Sequence, residues 1–456
     1  MVKAALVIKS ILITRRLKMK PKHIKKLLLS GIKSVAGNSD EFCVHPGRDF
    51  TRNRKLPFEK VIKTVLGMES RSLTNELINA FDADPALPSA SAFVQQRCKI
   101  KHEAFRAVFD EFTSSLIGNA SEALRILAVD GSDLHIATNP EESSSYRPRT
   151  DGGKAHNLLH LNALYDLGHN IYVDASVQGG NESNEHSALQ EMVDRSGIAK
   201  ALVIADRGYE SYNNMAHIQE KGWFFLIRIK DGQAGIKAGF ELPESNEFDE
   251  KISLKLTRKQ TKEVKALLED KNHYRYISTN TSFDYLKKKS RKHEPAEFYE
   301  LDFRIVRFRV TDDLYETVLT NLDSDAYPPD RLKELYASRW GIETSFRDLK
   351  YTVGLLDFHS KKVMCIRQEI YARLIMYNFA EMITSHVVIE KKQRKHTYAA
   401  NFSVAVHMCR LFYRGKTTSP NLEAIIARNI VPIRPDRHRD RKQTLKAYHG
   451  FIYRVA

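Results

Sequence analysis

Five side chains late in the sequence, Tyr336, Arg339, Glu343, Arg347 and Lys350, recur at helical spacing. At roughly 3.6 residues per turn they fall within an arc of about 80°, so one face carries a phenol, three cations and a single carboxylate. Alone, such a stripe reads first as a solvated face held by i,i+4 and i,i+7 charge pairs. Its meaning turns on whether the chain supplies other carboxylates for Glu343. Asp130 follows the apolar run Ile126-Leu127-Ala128-Val129, and Asp206 follows Ala201-Leu202-Val203-Ile204-Ala205. Either one alone is as readily a turn former. On neighbouring strands of an α/β sheet, however, both would emerge into the crevice at the strand ends. Three converging carboxylates repel one another and need a counter-charge. Mg²⁺, or Mn²⁺ in its place, suits them, because it takes few protein carboxylates and leaves positions for phosphate oxygens and water. Two such ions about 4 Å apart can activate an attacking oxygen and stabilise a departing one at phosphorus.

The elements that must position these residues are legible around them. Pro328-Pro329-Asp330 opens a helix expected to run through Lys350, with Gly354 as its stop. Arg125 to Ser132 reads as a strand ending at Asp130. Leu158–Leu164 and Ile171–Val177 read as two more, joined by the turn at Asp166 to Asn170. A helix from Ser183 to Arg195, the Asp206 strand, a helix to about Lys221 and a strand from Trp223 to Ile229 follow. The order β-β-β-α-β-α-β is that of a ribonuclease-H-like α/β core. From about Asp231 to Asp323, alternating segments such as Phe303 to Val310 predict a β-rich insertion whose strands carry one basic face. Lys287 to Glu297 reads as a loop, Thr317 to Leu322 as a strand, and Glu369 to Ile389 as a mostly apolar helix.

Upstream, residues 57–117 are helical and amphipathic, with Ser89 or Ser91 capping a helix expected to reach Phe109. Short helices with cations are compatible with a helix-turn-helix reader of DNA and equally with any small bundle. The 456 residues carry a formal net charge of +16, which suggests a polyanionic partner. Residues 1–35 hold ten Lys and Arg and no acid, and a second basic tract runs from Arg434 to Lys446. Four scattered cysteines without a CxxC pair argue against a zinc finger or disulfide framework and suit a reducing cytoplasm. The apolar start, Ala4 to Ile13, is too short to span a bilayer. No Walker-type phosphate loop is present, so no nucleotide cofactor is expected. The expected organisation is a basic helical DNA-binding region (1–120), a first core part (121–230), the insertion (231–324), a second core part with the Glu343 helix (325–385), and a helical and basic C-terminal region (386–456).

The spacing Tyr336-x2-Arg339-x3-Glu343-x6-Lys350 resembles the Y-R-E-K signature of the insertion sequence 4 family of DDE transposases. Val129-Asp130-Gly131-Ser132 and Ala205-Asp206-Arg207-Gly208-Tyr209 are similar to that family's two aspartate blocks, in the same order, and the long interval before Glu343 fits its β-rich insertion. The resemblance covers about residues 55–385. It implies that Asp130, Asp206 and Glu343 hold the metal ions for nicking at a transposon end. The freed 3′-hydroxyl then attacks phosphodiesters to release the element and join it to target DNA. Tyr336, Arg339 and Lys350 would grip end phosphates. Trp340 would support an unstacked base or pack in a core, and Arg207 would meet phosphate or pair with a carboxylate. A homodimer pairing two ends of double-stranded DNA, in the cytoplasm and on the nucleoid, is implied. A structure-specific nuclease on the same fold and a transposase-derived repressor are the competing readings. His156 and His160 have the spacing of helical zinc ligands but sit in a predicted strand. Asp133 reads as a turn carboxylate, and Glu182 and Glu185 as acids opening a helix.

Overall fold

The computed structural model describes residues 19–52, 55–118, 123–148, 154–230, 235–288, 297–389 and 397–433. The basic start up to Lys18 and the tract from Arg434 lie outside them. Among the described residues six helices come first: α1 (Pro21–Gly37), the short α2 (Ser39–Phe42), α3 (Phe58–Gly67), α4 (Leu73–Ala80), α5 (Ala90–Arg97) and α6 (Glu103–Ile117). Ser89 caps α5 by accepting from the Ala92 N–H at 3.2 Å. The single helix expected through Phe109 is instead two. Lys99 to Lys101 leaves helical geometry to pair with Phe42 to Val44, through Val44 N–H to Lys99 O at 2.9 Å and Lys101 N–H to Phe42 O at 2.8 Å.

The strands that follow are β1 (Arg125–Ile136), β2 (Tyr146–Arg147), β3 (His156–Asp166) and β4 (Ile171–Gly179), with β2 and β4 both antiparallel to β3. Then come α7 (Glu185–Asp194), β5 (Ala201–Ala205), α8 (Tyr212–Glu220) and β6 (Phe224–Arg228). Setting aside the two-residue β2, this is the expected β-β-β-α-β-α-β order. One strand is longer than its apolar run implies: β1 continues six residues past Asp130, because antiparallel pairing with β3 holds it as far as Ile136. β5 is buried at all five positions, as a parallel strand covered on both faces must be.

The insertion contributes β7 (Phe248–Thr257), α9 (Lys262–Leu267), β8 (Tyr274–Tyr276), β9 (Tyr299–Thr311) and β10 (Leu314–Thr320). Its strands continue the same sheet, since β10 pairs antiparallel with β6. Among the described residues the sheet has ten strands, in the order β2-β3-β1-β5-β6-β10-β9-β7-β8, with β4 also on β3. The expected basic face of β9 is interrupted: Arg304 is 4% exposed and turns inward to pair with Asp249. Most of the Lys287 to Glu297 loop lies outside the described residues.

Late helices close the structure: α10 (Pro329–Ala337), α11 (Trp340–Arg347), α12 (Val363–His386), then β11 (Tyr398–Ala400), α13 (Phe402–Tyr413), α14 (Ser419–Arg428) and β12 (Ile430–Pro432). α12 runs between the N-terminal helices and the sheet, so it is apolar nearly all round, and its polar residues are buried with partners. Asn378 bonds both the N–H and the C=O of Tyr172 on β4, at 2.8 and 2.7 Å. Glu369 pairs with Arg97 of α5 at 2.8 Å and accepts from the His359 N–H, while Gln368 donates to the Ile100 carbonyl. One apolar cluster therefore extends from Ile24 of α1 through one sheet face to Ile426 of α14. α7 and α8 cover the other face. Among the described residues no helix is long and apolar enough to cross a membrane.

The Arg97–Glu369 pair ties the N-terminal helices to α12 with both side chains buried from solvent. Burial alone would raise the Glu369 carboxyl, but Arg97 and His359 hold it at about 2, below its ordinary 4.5. Glu369→Ala leaves a buried guanidinium without its carboxylate and should cost about 3–5 kcal/mol in urea unfolding. Because the folded value is depressed, this contribution is complete above pH 4.5 and lost as pH falls toward 2. The stability gap between wild type and Glu369→Gln should therefore narrow over that range.

Candidate active site

The parallel pairing of β1 and β5 ends at Ala128 opposite Ile204. Two residues further along each chain stand Asp130 and Asp206, level with each other in that register and on the same side of the sheet. The side is set by parity: Ala128, Leu202 and Ile204 pack in the cluster with Leu335, Ile342 and Phe346, whereas Leu127, Val129, Val203 and Ala205 face α7 and α8. β1 stays bound to β3 beyond this point while β5 turns away, which opens a crevice at the two aspartates. The Asp130 carboxylate accepts from the Gly131 N–H at 2.9 Å, and that of Asp206 from the Gly208 N–H at 2.8 Å.

The run from Pro329 to Lys350 is not one helix. α10 tightens at Ser338 and Arg339, where N–H groups reach three residues back: Arg339 to Tyr336 at 3.0 Å, Gly341 to Ser338 at 2.9 Å and Ile342 to Arg339 at 3.1 Å. Ser338 Oγ donates to the Leu335 carbonyl at 2.5 Å, competing with the regular helix bond. α11 then ends in a widened turn over Asp348–Thr352, and Gly354 stops it at φ 84°, as expected. The joint keeps the charged stripe together. Arg339 Nη2 lies 2.7 Å from Glu343 Oε1, and its Nη1 lies 4.0 Å from Asp130 Oδ2, so one guanidinium stands between the two carboxylates. Tyr336 and Trp340 flank that guanidinium, each with its ring centre 5.9 Å away. Lys350 Nζ donates to the Asp133 carbonyl of β1 at 3.3 Å.

Charge at the site is under-compensated. Burial first, and then Asp206 and Glu343, push the Asp130 carboxyl up to about 6, against the Gly131 N–H and Arg339. Burial also raises the Tyr336 phenol, which therefore stays protonated as a donor. Arg339 Nε is buried with no hydrogen-bond partner among the described residues, and the Tyr336 hydroxyl is buried beside the same guanidinium. Trp340 is 44% exposed, which overturns the core-packing alternative for it. Arg207 is exposed at the rim of a cleft of about 610 Å³ lined also by Asp206, Glu210, Tyr212, Lys230 and Phe283.

Other readings change. His156 and His160 share no metal site: His156 Nδ1 lies 3.1 Å from the Lys154 carbonyl, while His160 Nδ1 lies 2.7 Å from Asp133. Asp133 is therefore a strand carboxylate rather than a turn former. Glu185 is the first residue of α7, behind the Asn184 cap, as expected of an acid opening a helix. It also reaches the site, with Oε1 3.1 Å from His160 Nε2. Burial would lower the His160 imidazole, but Asp133 and Glu185 raise it to about 9. The available signal was a glycine just after each aspartate, Gly131 one residue on and Gly208 two, each with Glu185 close to where a Cβ would stand.

Asp130, Asp206 and Glu343 could offer three hard oxygen donors with unbalanced charge, chemistry that suits a divalent ion. Among the described residues no three His, Cys, Asp or Glu side chains are gathered tightly enough to hold one. The Arg339 guanidinium stands between two of the three carboxylates, those of Glu343 and Asp130.

Residues 122–379, more than half of the chain, match the family described as the transposase DDE domain. The chain belongs to the DDE transposases, DNA-cutting and strand-transferring enzymes that generally use divalent metal ions. It is 22% identical over 343 residues to "Transposase InsG for insertion sequence element IS4" of Escherichia coli (strain K12), covering 72% of this chain and 70% of that one. It is 21% identical over 386 residues to "Transposase for insertion sequence element IS231E" of Bacillus thuringiensis subsp. finitimus, covering 75% of each. Within the DDE transposases it is thus of the insertion sequence 4 type. A solved piggyBac transposase synaptic complex with hairpin DNA aligns with 91% of this chain and 86% of that one, at 11% identity and a TM-score of 0.42.

Gly341 brings α11 close to the β3–β4 turn, where a Cβ would stand 2.6 Å from Leu167 Cδ2, the end of a side chain that can turn aside for a methyl more easily than for a branched group. Gly341→Val should lift α11, cost about 1–3 kcal/mol in urea unfolding and reduce DNA cleavage, with Gly341→Ala intermediate in both.

Proposed function

We propose that Asp130, Asp206 and Glu343 form the catalytic centre of a cut-and-paste transposase on a ribonuclease-H-like core. The observation that carries this reading is the β1–β5 register, which sets two aspartates level on the sheet face where α11 brings Glu343. These three carboxylates would hold Mg²⁺ or Mn²⁺, two ions in all, which when bound would supply the polarisation that phosphodiester hydrolysis and transesterification need. The remaining work falls to the chain. Tyr336 donates one hydrogen bond and Arg339 a planar fork to phosphate oxygens of the transposon end, a role supported by the unpartnered Arg339 Nε and by the Tyr336 phenol buried against that guanidinium. Lys350, beside β1 just past Asp130, adds a point charge. Trp340, exposed next to Arg339, offers a face on which an unstacked base can rest. Arg207 guides a strand along the cleft beside Asp206.

In this reading residues 1–120 and the basic tract after Arg434 add phosphate contacts, residues 231–324 form the insertion and 325–385 the second part of the core. A homodimer pairs two double-stranded ends, then engages target DNA, and the enzyme works in the cytoplasm on the nucleoid. No nucleotide is consumed, because transesterification conserves bond energy.

The test uses the full chain with duplex carrying its element's terminal sequence and Mg²⁺ or Mn²⁺. Asp130→Asn, Asp206→Asn and Glu343→Gln should each reduce nicking at least about a thousandfold while retaining end binding in a gel shift. Cleavage that survives in all three would remove the triad. Wild type given an end with a free 3′-hydroxyl should join it to target DNA, and cutting without joining would favour a nuclease. Lys350→Ala should lower the slope of log affinity against log salt by about 1, whereas an unchanged slope would remove the phosphate contact.

A further inference from the structure

Neither Gly131 nor Gly208 has a positive φ, so backbone conformation does not require glycine at either position. The space does. A Cβ on Gly131 would stand 2.4 Å from His160 Nε2 and 2.6 Å from Glu185 Oε1. One on Gly208 would stand 3.0 Å from Asp206 Oδ1 and 3.6 Å from Glu185 Oε2. The Glu185 carboxylate thus occupies the gap between the two backbone segments that carry Asp130 and Asp206, on the side of β1 opposite the Asp130 side chain. It is kept there from below. His160 on β3 faces it at 3.1 Å and is fixed in turn by Asp133, its register partner on β1, at 2.7 Å.

A second observation points the same way. The Tyr209 hydroxyl, on a side chain 1% exposed, has no hydrogen-bond partner among the described residues. Besides burial, the charges acting on it are Glu185, Asp130 and Asp206 in falling order, with Arg339 opposing. A buried phenol without a partner thus stands in the common field of these three carboxylates, as expected where a further ligand completes the hydrogen bonding.

We propose that Glu185 supplies a fourth negative charge to the divalent-cation site of Asp130, Asp206 and Glu343, held between Gly131 and Gly208 by the positioning residues His160 and Asp133. The proposal rests on the reading of those three carboxylates as the metal-holding set. Arg147 and Lys350 lie on the Asp133 side of this network, so Glu185 is the carboxylate of the network that stands nearest the aspartates. A helix-opening acid would need neither the glycines nor the histidine.

The test is Mn²⁺ binding to the full chain on pre-cut end DNA, read by electron paramagnetic resonance of the free ion, with folding checked by urea unfolding. Glu185→Gln, which keeps the shape and removes the charge, should weaken Mn²⁺ affinity about tenfold or more. Glu185→Asp should recover part of the loss. Gly131→Ala, which displaces a carboxylate that is still present, should weaken binding in the same direction. If Asp130→Asn abolishes Mn²⁺ binding while a folded Glu185→Gln binds as wild type, the proposal is overturned and the triad stands. If neither substitution changes binding, the triad reading fails and takes this one with it. If Glu185→Gln does not fold, the comparison of Glu185→Asp and Gly131→Ala with wild type decides, and unchanged affinity in both overturns the proposal.

Discussion

The site depends on where one pair of parallel strands stops pairing. β1 and β5 are joined over four residue pairs, from Arg125–Ala201 to Ala128–Ile204, and then part. Because side chains alternate, Asp130 and Asp206 share the face of Ala128 and Ile204. A slip of one residue would send one carboxylate to the opposite face, among the apolar residues under α7 and α8. That register is well specified, since Leu127, Val129, Val203 and Ala205 are buried on one face and Ala128, Leu202 and Ile204 on the other. The position of a polar pair is thus fixed by the packing of seven apolar neighbours.

The third carboxylate is positioned by different means. Glu343 sits on a helix whose regular hydrogen bonding fails on either side of it, at Ser338–Arg339 and at Asp348–Thr352. α11 is consequently a two-turn piece with its own direction, held to the sheet by Ile342 and Phe346 and by Ser345, whose Oγ lies 2.8 Å from the Tyr172 hydroxyl. The tightened joint also brings Arg339 round to face Glu343. In the proposed mechanism this guanidinium has two claimants, the carboxylates it now joins and the phosphate of an incoming end, so DNA and metal ion act on the same charge balance.

Much of this was legible in the sequence. The apolar runs before Asp130 and Asp206 gave strands of the right order, and the spacing of Tyr336, Arg339 and Glu343 gave a common face because it survives a local change in helix pitch. What escaped was non-local. Nothing near Asp130 says that β1 continues, because the cause is β3, some thirty residues away. The break between α5 and α6 comes from pairing with Phe42 to Val44. Glu185 looks like an ordinary helix-opening acid until β3 brings His160 beneath it. Local pattern carried the elements, whereas contacts between distant segments set their ends and their side-chain partners.

The same distinction limits what net charge says about DNA. A formal charge of +16 suggests a polyanion, but several arginines are spent inside the fold. Arg97, Arg304, Arg373 and Arg410 are at most 5% exposed, and they bond carboxylates or backbone carbonyls: Arg97 to Glu369 and Cys365, Arg304 to Asp249 and Leu322, Arg373 to Met68 and Glu69, Arg410 to Val353. Arginine suits this role because its planar fork satisfies carbonyls that helix ends and strand ends leave open. These side chains cannot reach phosphate without unfolding the layer they join. In the proposed reading the cations beside the aspartates are Arg339, Lys350 and Arg207, so the case for a DNA face at this crevice rests on their arrangement about Asp130 and Asp206 rather than on the total.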